Sequence, residues 1–87
     1  MKKNFTFYPQ GTCSQRIDIE LDGDTIEQVV FTGGCNGNLK GISSLIKGMK
    51  AEDVIERLEG TTCGWKDTSC PDQLSKALKA ALAEQNA

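Results

Sequence analysis

The sequence predicts an α+β fold, a three-stranded antiparallel sheet followed by three helices packed on one of its faces, and three observations carry that expectation. Residues 3–8 and 16–21 alternate apolar with polar side chains at period 2 and residues 25–32 are rich in β-branched side chains; from residue 38 onward apolar residues recur at the helical period; and the two kinds of segment are segregated along the chain rather than interleaved. With 87 residues, and no internal repeat, linker or low-complexity tract, the chain is read as one domain spanning residues 1–87. A domain of this size buries only about 60–65% of the surface its unfolded chain exposes, so a metal or a cross-link would help to hold it.

Phe5 and Phe7 alternate with Asn4 and Thr6 before Pro9-Gln10-Gly11 interrupts the run, which predicts a short edge strand over residues 3 to 8. Ile17, Ile19 and Leu21 alternate strictly with Arg16, Asp18 and Glu20, the pattern of a strand with one face in the core and the other in water. Asp22-Gly23-Asp24 supplies turn chemistry, and the β-branched run from Thr25 to Thr32 completes a hairpin that ends at Gly33-Gly34.

Leu39, Ile42, Ile46 and Met49 then fall on one helical face, predicting a helix from 38 to 47 with Gly48 at its C-cap. Val54, Ile55 and Leu58 give a second, shorter helix from 51 to 58, ended by Gly60. Residues 61 to 67 have no period and read as a loop anchored by Trp65. The last helix opens at Ser69-Cys70-Pro71-Asp72, where Pro71 suits the first turn and Ser69 with Asp72 forms a candidate capping box. Leu74, Ala77, Leu78, Ala81 and Leu82 line its buried face to about residue 85.

A formal net charge of −2 offers no basic field for nucleic acid, and no segment approaches the ~18 apolar residues needed to span a bilayer. The first nine residues lack an apolar signal region, so the chain is expected to be cytoplasmic, where thiols stay reduced. An exposed edge strand leaves pairing of two copies open.

Chemistry concentrates on four cysteines, Cys13, Cys35, Cys63 and Cys70, in a chain without histidine. Cys35 precedes the first predicted helix and Cys70 opens the last, where helix N-termini favour thiolate, the form that binds metal or attacks an electrophile. In the predicted hairpin the strand leading to Cys35 ends where its partner strand begins, next to Cys13, so those two are expected to be neighbours. Four sulfurs would complete a tetrahedral site for zinc or iron, although without a C-x-x-C pair the spacing is not that of a zinc ribbon. The bland reading is four small buried side chains at cramped corners. Gly33-Gly34-Cys35-Asn36-Gly37 matches neither phosphate-binding fingerprint, and turn glycine explains it better.

The run Thr68-Ser69-Cys70-Pro71-Asp72, with Gly33-Gly34-Cys35-Asn36-Gly37-Asn38, resembles the TSCPD domain family over nearly the whole chain. That resemblance implies a small stand-alone member related to segments at the C-terminal ends of vitamin B12-dependent ribonucleotide reductases, and so an accessory link to DNA synthesis. The chain is too small to house such a reductase's own chemistry, and as an isolated domain it is not expected to be an enzyme. A more distant likeness is to NifU-like iron-sulfur assembly scaffolds, where Cys13, Cys35 and Cys70 fall at the cluster-holding positions. Those scaffolds carry an aspartate two residues after the first cysteine; Gln15 stands there in this chain, and Cys63 is extra. Both departures favour a closed, tightly held site.

Three functions follow as expectations. The first is a metal-binding accessory module with Cys13, Cys35, Cys63 and Cys70 as ligands to zinc or, alternatively, an iron-sulfur cluster. The second is a thiol redox partner, using Cys63 and Cys70, that passes reducing equivalents to a ribonucleotide reductase. The third is an interaction domain whose thiols are incidental.

Overall fold

A computed structural model of the chain describes residues 2–9, 11, 14–33, 36–61 and 68–85. Six elements follow in order: β1 (Lys2–Phe7), β2 (Ser14–Asp22), β3 (Thr25–Gly33), α1 (Asn36–Ile46), α2 (Ala51–Leu58) and α3 (Cys70–Gln85). The strands form an antiparallel meander in the order β1-β2-β3, and all three helices follow, which is the predicted α+β architecture. No helix among the described residues is long and apolar enough to cross a membrane.

Register explains why one face of the sheet is apolar. Phe5 stands opposite Ile19 and Phe7 opposite Ile17, while Ile19 and Ile17 in turn face Val29 and Phe31, so each row contributes three apolar side chains to the same surface. The β2–β3 hairpin closes through Gly23 and Asp24, with Gly23 at φ 65°, the positive φ that a type II′ turn places at its first central residue. On the opposite face Thr6 and Arg16 both donate to the Asp18 carboxylate, at 2.9 Å each, as befits a solvated surface. The Arg16 guanidinium is chiefly what holds Asp18 below the usual carboxylate range.

Two irregularities interrupt this ladder, and both re-aim side chains. Between Ile26 and Gln28 the residue Glu27 is extra, so Ile26 and Val29, three apart, both enter the core. Between Ser14 and Arg16 the extra residue is Gln15. Strict alternation from Ile17 would point Gln15 inward; the bulge turns Ser14 inward instead, and Ser14 is buried while Gln15 is exposed.

Ile17, Ile19, Leu21, Ile26 and Val29 of the sheet pack against Ile46, Val54, Leu74, Ala77, Leu78 and Ala81 of the helices. Helix α1 lies against β3, α3 crosses β2 and β1, and α2 covers α3. Each helix buries the stripe its 3.6-residue period marks, which for α3 is Leu74, Ala77, Leu78 and Ala81.

The α1–α2 connection falls where the sequence places it: α1 ends at Ile46, one residue before the expected 47, Gly48 follows at φ 88°, and α2 runs from Ala51; the chain between them turns back along the outer edge of β3. Gly48 N–H donates to Ile26 O at 2.7 Å, Ile26 N–H to Met49 O at 2.8 Å, and Ala51 N–H to Asp24 O at 2.8 Å. These bonds give main-chain groups on the open side of the strand their partners. Met49 still packs, half-buried, against the core. The start of α1 at Asn36, rather than 38, and small shifts at the strand ends are the other differences of boundary.

Candidate thiol centre

The meander brings the start of β2 and the end of β3 to one end of the sheet, where Ser14 stands opposite Gly33. The N-terminus of α3 arrives at the same end: Ser14 Oγ and Cys70 Sγ lie 3.0 Å apart, a contact between side chains 56 residues apart in sequence. Cys70 is half-buried in the first turn of α3, near the positive end of the helix dipole. Of the four cysteines predicted as ligands, Cys70 is described; Cys13, Cys35 and Cys63, the expected contact between Cys13 and Cys35, and the Trp65 anchor lie outside the described residues. Among the described residues no three His, Cys, Asp or Glu side chains gather as a metal site would require.

What holds Cys70 in place is the rest of its own motif. Ser69 is the N-cap: its Oγ accepts from Asp72 N–H at 3.2 Å and donates to Thr61 O at 2.6 Å. The expected capping box is half realised, because the Asp72 carboxylate turns to other donors. It accepts from Thr68 Oγ1 at 2.6 Å and from Gly60 N–H at 2.8 Å, with Lys76 Nζ at 3.7 Å. Gln73 Nε2 completes the network by donating to Thr68 Oγ1 at 2.9 Å. Asp72 is therefore a clasp that ties the end of α2 to the start of α3.

The Thr68 hydroxyl, followed by the Gly60 N–H, holds the Asp72 carboxyl below its ordinary range against the opposing effect of burial. Its negative charge, in the first turn that carries Cys70, is thus taken up by donors that precede the helix. Gly11 fits the same assembly from the other side. Its φ is 76°, and a Cβ added there would lie 3.0 Å from Thr68 Cγ2, so a larger residue would be strained in its backbone and crowd Thr68.

Sequence reasoning missed Ser14 and undervalued Asp72. The signal for Ser14 was available: a polar Gln15 in the inward phase of an otherwise regular strand marks a bulge. No local pattern could have shown that Asp72 reaches Gly60, because that contact depends on how α2 packs.

The family model described as the TSCPD domain matches residues 2–82, which takes in every described element from β1 to the buried face of α3. No curated protein and no solved structure matches the chain. With its signature run forming the helix start that positions Cys70, and the match extending over nearly its full length, the chain belongs to the TSCPD domain family.

Proposed function

We propose that this TSCPD domain is a thiolate metal-binding accessory module in which Cys13, Cys35, Cys63 and Cys70 hold zinc, with an iron-sulfur cluster as the alternative occupant. The observation that carries the reading is the position of Cys70 Sγ, 3.0 Å from Ser14 Oγ at the end of the sheet where β2 starts and β3 finishes. In the sequence Cys13 immediately precedes Ser14, and Cys35 comes two residues after Gly33, the partner of Ser14.

The donor set fits a soft metal. Every candidate ligand is sulfur, histidine is absent, and the described thiol sits at a helix N-terminus that favours the thiolate. Zinc held by four thiolates would supply fold stability rather than catalysis, since such a site leaves no open coordination position. Likeness to iron-sulfur scaffolds rests on cysteine positions alone, and Gln15 argues for tight retention over transfer. The partner we infer is a ribonucleotide reductase in the cytoplasm, served in trans.

A second reading is favoured by the half-exposure of Cys70 at the helix start, which suits a thiol that exchanges with a partner's disulfide. There Cys63 and Cys70 would cycle between dithiol and disulfide. Metal quantification on protein purified without added metal decides between the two. One zinc per chain, lost in Cys70→Ser, supports the metal site; substoichiometric metal, with two thiols disappearing under mild oxidant, transfers the assignment to redox exchange.

A further inference from the structure

We infer that Ser14 is a positioning residue of the thiol centre, whose hydroxyl donates a hydrogen bond to the Cys70 sulfur and fixes its direction. The inference rests on the metal-site reading for its functional meaning, but the hydrogen bond itself is a property of the metal-free fold.

Three features converge on this serine. The bulge at Gln15 reverses the phase of β2 just at its first residue, and the effect is to turn a hydroxyl, not an apolar side chain, into the interior. Ser14 is 4% exposed, and a hydroxyl so buried requires a partner. The partner it meets is Cys70 Sγ, at 3.0 Å. Either atom could donate across that distance in the metal-free protein, whereas a sulfur bound to a metal has lost its proton, so under the metal-site reading the serine is the donor.

Ser14 also has the right connections to act as a positioning residue. It adjoins Cys13 in sequence, pairs with Gly33 across the sheet, and contacts Cys70 from the third direction. A hydroxyl there orients the sulfur of α3 relative to two strands at once. Hydrogen bonds from outside the ligand set are what orient metal ligands, and removing one commonly costs about 10–100-fold in metal affinity. The bond is also lost without disturbing sheet hydrogen bonding, because Ala keeps the backbone donor and acceptor of Ser14.

The test compares Ser14→Ala and Ser14→Thr with the parent protein in chelator competition, and follows the sulfur-to-metal charge-transfer bands of the cobalt-substituted proteins. Ser14→Ala is expected to keep its far-UV circular dichroism and metal stoichiometry but to lose metal about 10–100-fold more readily, with shifted charge-transfer bands. Ser14→Thr, which retains the hydroxyl, should restore both. Equal affinity and identical spectra in Ser14→Ala would overturn the inference. A direct measurement separates its failure from that of the metal reading: in metal-free parent protein, NMR should find a Ser14 hydroxyl proton protected from exchange and close to the Cys70 β-protons. Its absence overturns the role of Ser14 whatever the metal content, while its presence in a protein that takes up no metal preserves the positioning role and removes only the metal.

Discussion

Replacing Asp72 by alanine should separate the end of α2 from the start of α3, and the structure sets the size of the effect. Asp72 is 5% exposed, and its carboxylate accepts two short hydrogen bonds, from Thr68 Oγ1 and Gly60 N–H. Hydrogen bonds to charged groups contribute about 1.5–3 kcal/mol each. Gly60 is exposed, so water can take over its N–H, whereas Thr68 is buried and its hydroxyl would be left to donate to nothing as good. The Lys76 pair, exposed on the lysine side, adds roughly 0–1 kcal/mol. The expected loss for Asp72→Ala is therefore about 2–4 kcal/mol, a fall in Tm of about 10–25 °C for a domain of this length. Urea and thermal denaturation at pH 7 measure it. Because its pKa is lowered in the fold, Asp72 adds stability in full above its unfolded pKa of about 3.9, and this is lost as pH falls through the lower folded value. The gap between parent and Asp72→Asn should accordingly be complete at neutral pH and narrow below about pH 4. A variant within about 0.5 kcal/mol of the parent, or a gap that stays constant into acid, would refute the clasp.

Three further outcomes are expected. Leu78 is fully buried between sheet and helices, and Leu78→Ala should cost about 2–5 kcal/mol in urea denaturation. Gly11→Ala combines a positive φ with a 3.0 Å approach to Thr68 Cγ2 and should cost about 1–2 kcal/mol, more than the same change at Gly37, where a Cβ meets nothing within 4 Å. Under the zinc reading, dialysis against a strong chelator should lower Tm and restoring zinc should recover it, while unchanged melting with and without zinc would remove the metal from the stability of the fold.

Element order was legible because the chain changes period once, and the strand pattern of Ile17, Ile19 and Leu21 admits little else. What the pattern concealed were departures from it. Ile26 and Val29 are three apart, which breaks the strand period of 2 until Glu27 is recognised as the extra residue of a bulge. The stop of α1 before Met49 was readable from Gly48, but the bond from Ile26 N–H to the Met49 carbonyl is a tertiary contact that no local window contains. At the thiol centre, the placement of Cys70 at a helix start was readable from Ser69 and Pro71, since capping is a local event. The contact to Ser14 was not, because it joins residues 56 apart through a phase change in one strand.

The run from Gly48 to Ala51, bonded to Asp24 and Ile26, has a kinetic consequence. It sews the connection between α1 and α2 to the rim of the sheet by main-chain atoms, so the helices cannot part from β3 at that point without breaking these bonds. Amide protons of Ile26, Gly48 and Ala51 should then exchange with solvent together, at one common opening free energy, and partial detachment of the helices is replaced by a single cooperative event.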